Sequence, residues 1–301
     1  MSTDSLFVEP EEEGERLDKF LSLKFPDYSR TYFQHLITKG LVLINGELQK
    51  KRTQVNRGDE IEIEFTLPQE IELEPENIPL DILYEDDDLI VINKPAGLVV
   101  HPGAGNPSHT FVNALLYHCK IECETKKLRP GIVHRLDKET TGVLVAAKTE
   151  FTHRMLVEQF ANRKVEKIYL AICLGNPGNR LIANSIGRHP QKRQEMTVLE
   201  TGGKMAITEV QTLAYDGKLS VVQLSPQTGR THQLRVHLKW LKTPILGDTV
   251  YGNARINKLY KAKRQLLHAK KLVLTHPRTK NRIELNAPLP DDIIFLTKQL
   301  L

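Results

Sequence analysis

Cysteine is scarce: Cys119, Cys123 and Cys173 are the three in 301 residues. That number excludes a disulfide framework and a zinc site with four cysteine ligands. Cys119 and Cys123 read as two small buried hydrophobes. The eleven histidines show no H-E-x-x-H or comparable spacing, so no metal is expected. No apolar run reaches the length of a membrane-spanning helix. The opening MSTDSLFVEPEEE is acidic and lacks the basic-then-apolar order of a signal peptide, so a soluble cytoplasmic protein is expected. GAGNPS, from Gly103, lacks the third glycine of a dinucleotide loop, and a Rossmann reading falls with it.

What is present is a divided charge. Residues 1–93 hold 22 acids against 9 Lys/Arg, and residues 94–301 hold 15 acids against 33. A strongly basic larger portion suits a polyanionic partner, most simply nucleic acid. The chain is 40% hydrophobic, enough for real cores, and its length suggests two domains.

The pattern divides the chain further. Residues 1–13 read as a polar, acidic tail. Residues 14–67 read as a small domain. RLDKFLSLKF carries Leu17, Phe20, Leu21 and Phe25 at helical spacing. Ser29 suits the N-cap of a second helix closed by Gly40. LVLI-NG-ELQ is a hairpin with Asn45-Gly46 as its turn. RGDEIEIEF alternates as a half-exposed strand does. Residues 68–80 read as an extended, proline-bearing linker. From residue 81 strands dominate: LIVIN, GVLVAAK, VEKIYLAICLG, MAITEVQTLAY, LSVVQLSP, KKLVLTHP and NRIEL. Helical patterns are fewer: FVNALLYHC, FTHRMLVEQFANR and THQLRVHLKWL. Strands do not alternate strictly with helices, so the class is α+β with a mixed, largely antiparallel sheet.

Three segments of the second domain carry chemistry. In HRLDKETTG, Asp137 stands beside Arg135 between apolar runs. EKIYLAI carries Tyr169. In SPQTGRTHQLRVHLKWL, Thr231 is placed to cap a helix whose Leu234, Leu238 and Leu241 make a core stripe. His232, Arg235 and Lys239 fall on another face, near a helix N-terminus that attracts anions.

Together these segments resemble the RluA family of pseudouridine synthases. Its aspartate motif, H-R-L-D followed by two residues and Thr-Ser-Gly, reads here His134 to Gly142, with Thr141 in place of the serine. Lys167-Ile168-Tyr169-Leu170-Ala171 matches the family's tyrosine segment, and Thr228 to His237 its arginine segment. The first domain is similar to the S4 RNA-binding domain at Arg16-Leu17-Asp18, Ser29-Arg30, Gly40, Val42, Asn45-Gly46 and Gly58-Asp59. The resemblance runs from about residue 14 nearly to the end. The arrangement most resembles the RluD type, which modifies large-subunit (23S) ribosomal RNA; other members act on tRNA.

The resemblance implies a pseudouridine synthase fold and uridine isomerisation by base flipping. The N1–C1′ bond breaks, the uracil turns, and the ring rejoins through C5. No atoms are lost, so no cofactor is implied. Asp137 is then the catalytic aspartate. Arg235 pairs with it, its planar fork holding the carboxylate at two points. Tyr169 stacks on the uracil and moves the C5 proton. Arg135 enters the vacated base stack, with His134 a further substrate contact. Arg230 and Lys239 are phosphate candidates near the flipped nucleotide, and Leu267, in LLHAKKL, packs under the uracil. Arg30, Lys39, Lys50, Lys51 and Arg52 are the S4 candidates for phosphate. A monomer is expected. A glycosidase-like hydrolase fits less well, since it would need a second carboxylate. A non-catalytic RNA-binding factor would not be expected to keep Asp137, Tyr169 and Arg235 together.

Overall fold

A computed structural model describes residues 2–26, 28, 30–50, 52–66, 73–103, 105–119, 130–192 and 195–300. Ser29, Lys51, Cys123 and residues 68–72 of the expected linker lie outside them. The chain forms two compact units, residues 1–72 and 73–301.

In the first unit, strand β1 (Ser2–Phe7) precedes helices α1 (Leu17–Lys24) and α2 (Arg30–Thr38). Strands β2 (Val42–Ile44), β3 (Glu47–Leu48) and β4 (Glu60–Phe65) follow. The helices bury Leu17, Phe20, Leu21, Phe33 and Leu36 against Val42, Ile44, Ile61 and Ile63 of a four-stranded sheet ordered β1-β4-β2-β3. The β2–β3 turn is Asn45-Gly46, at φ 52 and 77, the left-handed pair that a two-residue hairpin needs.

The first residues are not the tail expected of them. Ser2–Phe7 pairs antiparallel along all of β4, Leu6 packs on the core and Val8 is buried. Three apolar residues between acids are too short a pattern to read as a strand, but the exposed edge of β4 supplies the ladder.

The second unit is one mixed sheet with helices on it. Its strands are β5 (Ile82–Glu85), β6 (Leu89–Lys94), β7 (Thr141–Ala147), β8 (Glu166–Leu174), β9 (Arg180–Arg188), β10 (Met196–Leu199), β11 (Lys204–Tyr215), β12 (Leu219–Pro226), β13 (Leu267–Thr275) and β14 (Arg282–Asn286). Its helices are α3 (Phe111–Cys119), α4 (Glu150–Ala161), α5 (Gln233–Trp240), α6 (Ala254–Leu259) and α7 (Asp291–Leu300). The order is β10-β9-β11-β12-β8-β13-β7-β6-β5, with β14 on β13. Among the described strands every pairing is antiparallel except β13 with β7.

The central strands explain the unbroken apolar runs. Leu89 and Val91 of β6 face Leu156 of α4, while Ile90 and Ile92 face Phe111 and Leu115 of α3. A strand covered on both sides has no polar face to show. Gly142 stands where β7 meets β13. Its φ is +108, and a Cβ there would lie 2.2 Å from the Ala269 carbonyl oxygen, so only glycine fits.

Residues 73–80 belong to this second unit rather than to a free linker. Asn113 donates its side-chain amide to the Glu74 carbonyl at 2.8 Å, and Leu80 packs on the Phe111 cluster. Among the described residues no helix is long and apolar enough to cross a membrane. Cys119, expected to be buried, is only half-buried, and Cys173 is buried.

Candidate active site

The segment 132–140 is a loop without regular structure, held from every side. His134 Nε2 accepts the Val145 N–H at 3.1 Å, and its ring stacks on Phe160 at 4.8 Å. Burial pushes that imidazole down to about 3, so it stays a neutral acceptor. Lys94 is fully buried. Its ammonium reaches the carbonyls of Pro95, Leu98 and Lys138 at 2.8, 2.8 and 2.9 Å. Burial pulls it down to about 7 against Glu139 and Asp137, but three acceptors match the three N–H bonds of the charged form. Lys94 thereby ties the KPAGL turn to the residue after Asp137. From the C-terminal side, Arg264 Nη1 donates to the Glu139 carbonyl at 3.1 Å and Gln265 Nε2 to Thr140 Oγ1 at 3.3 Å. Thr141 Oγ1 lies 2.8 Å from His268 Nδ1, so the hydroxyl retained in place of serine has a partner. Leu136 points into the core. Its neighbours Arg135 and Asp137 therefore face outward.

They face a cleft lined by Arg135, Asp137, Thr140, Tyr169, Pro226, Thr228, the residues from Gly229 to Arg235, and Leu267. Asp137 Oδ2 accepts from Arg235 Nη1 at 2.9 Å. The two-point grip expected for this pair goes elsewhere. Arg235 Nε and Nη2 bind the Oδ2 and Oδ1 of Asp248 at 2.7 and 2.9 Å. Asp248 is fully buried and also accepts the Val250 and Tyr251 N–H groups, each at 2.9 Å. Burial opposes its ionisation, but Arg235 outweighs it and holds the carboxyl below the ordinary range. Arg235 is held above its own ordinary value, since Asp248 and Asp137 overcome burial. The guanidinium lies 4.9 Å from the Tyr251 ring centroid. The arginine is thus fixed by one carboxylate and offers a single N–H to the other.

The turn before α5 is built by the helix's own residues. Thr231 does not cap it: the N-cap is His232, at φ 55, with no side-chain cap. Gln233 takes over. Its Oε1 accepts from Thr228 Oγ1 at 2.7 Å and from the Arg230 N–H at 3.0 Å, and its Nε2 donates to Thr208 Oγ1 at 2.9 Å. His237 joins beneath, 3.0 Å from Thr208 Oγ1 and 2.9 Å from Asn184 Oδ1. Leu234, Leu238 and Leu241 form the expected core stripe.

Six of the expected residues meet in the cleft: Asp137, Tyr169, Arg235, Arg135, Arg230 and Leu267. Burial first, and then Asp137, push the Tyr169 phenol well above its ordinary value. His134 is a correction, because it faces Val145 and Phe160 rather than the cleft. Lys239 lies outside the cleft lining, exposed, 3.4 Å from Glu195 and 5.3 Å from the Tyr251 ring centroid. In the first unit Arg30 is bound to buried Asp18 through two bonds of 3.0 Å, leaving its outer face for an anion. Lys39, Lys50 and Arg52 are exposed.

Sequence reasoning missed Asp248. Its signal is a lone acid after the apolar Pro244-Ile245-Leu246 in a basic domain. His237 and His268 were legible only as motif letters. Burial pushes both imidazoles down to about 4. Free histidine in the unfolded chain titrates near 6.5. Their neutral-state stabilisation is therefore present above that value and lost as pH falls towards 4, by roughly 1–2 kcal/mol each between pH 7 and 5. Imidazole ¹⁵N spectra at pH 5.5 should show both rings neutral. Titration of either near 6.5 would contradict this.

Known proteins resemble the chain over most of its length. The RNA pseudouridylate synthase family model matches residues 88–240, and the S4 domain model matches residues 15–61. The ribosomal large subunit pseudouridine synthase D of Vibrio parahaemolyticus is 42% identical over 95% of this chain and 91% of its own length. That of Pasteurella multocida is 43% identical over 95% and 91%. The structure of human RNA pseudouridylate synthase domain containing 4 superposes with a TM-score of 0.58 at 31% identity, covering 73% of this chain and 92% of its own. The chain belongs to the RNA pseudouridylate synthase family, an enzyme with an S4 domain ahead of its synthase domain.

Proposed function

We propose that the protein converts specific uridines of large-subunit (23S) ribosomal RNA to pseudouridine, acting in the cytoplasm as a monomer. The observation that carries the reading is Asp137, its Oδ2 2.9 Å from Arg235 Nη1, in a cleft shared with Tyr169. The relatives named as ribosomal large subunit synthases, 42–43% identical, support the substrate class.

The target base lies within folded RNA and is extruded into the cleft. Arg135, exposed at its edge, is flat enough to stack where the base was. Asp137 acts on the ribose, either at C1′ or on a sugar proton. Both actions need the carboxylate aimed at the sugar, and Arg235 Nη1 holds its Oδ2 at 2.9 Å. The Tyr169 ring stacks on the freed uracil, with Leu267 packing beneath. Since its phenol enters neutral, it takes the C5 proton only by passing on its own. Arg230, whose Nε is held by the Met205 carbonyl at 3.0 Å, is left to meet a phosphate with its remaining donors. Lys239 and, in the first unit, Arg30, Lys39, Lys50, Lys51 and Arg52 add phosphate contacts.

Large-subunit ribosomal RNA carrying tritium at uridine C5 tests this directly. Release of tritium to water by the wild type is the expected result. Silence on free RNA and on precursor large subunits, with release from tRNA, would overturn the substrate assignment. A second expectation concerns the S4 unit. Removing residues 1–72 should weaken rRNA binding by about tenfold or more at moderate salt while leaving isomerisation of a short, accessible RNA intact at high enzyme concentration. A truncated protein that is folded yet inert on such RNA would contradict this division of labour.

A further inference from the structure

His232 lines the cleft with its backbone at φ 55, a left-handed conformation uncommon for a residue with a side chain. Its ring is gripped at one nitrogen. Tyr251, buried, receives the Met196 N–H on its phenol oxygen at 2.8 Å, and that same oxygen lies 2.8 Å from His232 Nδ1. A buried phenol must place its own hydrogen, and Nδ1 is the acceptor it meets. The imidazole proton is thereby fixed on Nε2. Burial keeps the ring neutral, with Arg235 and Arg135 assisting against Asp137 and Asp248. The Nε2–H then faces Asp137 Oδ1 at 4.0 Å, too far for a hydrogen bond. The other oxygen of Asp137 is already held by Arg235. A fixed donor and an ionisable acceptor are therefore set across a gap.

We propose that the 2′-hydroxyl of the target uridine fills this gap, accepting from His232 Nε2–H and donating to Asp137 Oδ1. A hydroxyl is donor and acceptor at once. A uracil carbonyl or a phosphate oxygen only accepts, and would meet the carboxylate with repulsion. A 2′-deoxyribose offers neither bond. His232 is thus a specificity-determining contact that selects RNA over DNA and seats C1′ and C2′ against Asp137. Tyr251 is its positioning residue. The inference rests on the proposed function, in which the ribose of a flipped uridine stands against Asp137.

The test starts by mapping the modified uridine in large-subunit ribosomal RNA with carbodiimide. A short hairpin is then made with uridine or 2′-deoxyuridine at that position, and single-turnover rates are followed by nucleoside analysis. Wild type should prefer the ribonucleotide by about a hundredfold or more. His232→Ala should slow the ribonucleotide reaction by about tenfold or more yet slow the deoxy reaction little, so the preference shrinks. His232→Gln, whose amide keeps a donor, should retain most of it. Tyr251→Phe keeps the ring over Arg235, loses only the hydroxyl, and should fall between. Tyr251→Phe and His232→Gln carry the comparison if His232→Ala does not fold. A ribonucleotide preference undiminished in His232→Ala, or in Tyr251→Phe should that substitution alone be foldable, would overturn the inference. So would a wild type that treats both hairpins alike. If mapping finds no pseudouridine at all, the proposed function fails at that earlier step, and the inference with it.

Discussion

Asp137→Asn leaves no measurable isomerisation, a loss of at least about a thousandfold, while RNA affinity stays within about tenfold of wild type. The substitution is nearly isosteric. Its amide oxygen can still accept from Arg235 Nη1, now 2.9 Å from the carboxylate. What goes is the charge, and a neutral amide is neither a nucleophile nor a base towards the ribose. The loop should keep its shape, because it is held through the Lys138 and Glu139 carbonyls, His134 and Leu136 rather than through the carboxylate. Affinity should survive because it comes mainly from cationic side chains meeting phosphates, and removing a negative charge from the cleft tends to tighten it. Tritium release and filter binding on the same RNA check both halves. An unfolded variant, or one that loses binding along with activity, would make Asp137 a structural residue.

Much of this site was legible because chemistry and folding coincide in short segments. The apolar run that follows Asp137 is the buried strand β7. The TTG that follows contains the one residue able to pass the Ala269 carbonyl. The Asn45-Gly46 turn and the α5 leucine stripe were readable for the same local reasons. The misreadings share another cause: they depend on partners far away in sequence. Ser2–Phe7 becomes a strand only because β4 offers an edge. β9 and β10 have weak alternation and are held by β11 and by Tyr251. His134 shares a four-residue motif with Asp137, yet a loop residue three positions away can face the opposite side. Thr231 has the chemistry of a cap, but Gln233, tied to Thr208 of β11, does that work. The second carboxylate on Arg235 lies thirteen residues on, beyond any helical spacing.

Arg235→Met is expected to lose activity and stability together, and the second loss should be recoverable without the first. The side chain of Arg235 is 6% exposed and that of Asp248 not at all. Removing the cation leaves a buried carboxylate with only the Val250 and Tyr251 N–H groups as partners. Breaking such a pair from one side costs about 3–5 kcal/mol, or about 10 °C in Tm for a domain of this size. The pH dependence reveals the cause. In the wild type Asp248 is held below its ordinary value, so its contribution is present at neutral pH and lost as pH falls through that lowered value. In the variant, desolvation without Arg235 should raise the Asp248 carboxyl above its unfolded value. Its stability is then greatest in acid and lost as pH rises, so the Tm gap to wild type should narrow from pH 7 to pH 5. Adding Asp248→Leu removes the orphaned charge, and the double variant should regain most of the lost Tm while remaining inactive. Differential scanning calorimetry and tritium release separate the two effects. A double variant no more stable than Arg235→Met would mean that the arginine holds the fold by packing. Activity restored in it would mean that Asp137 needs no cation to act.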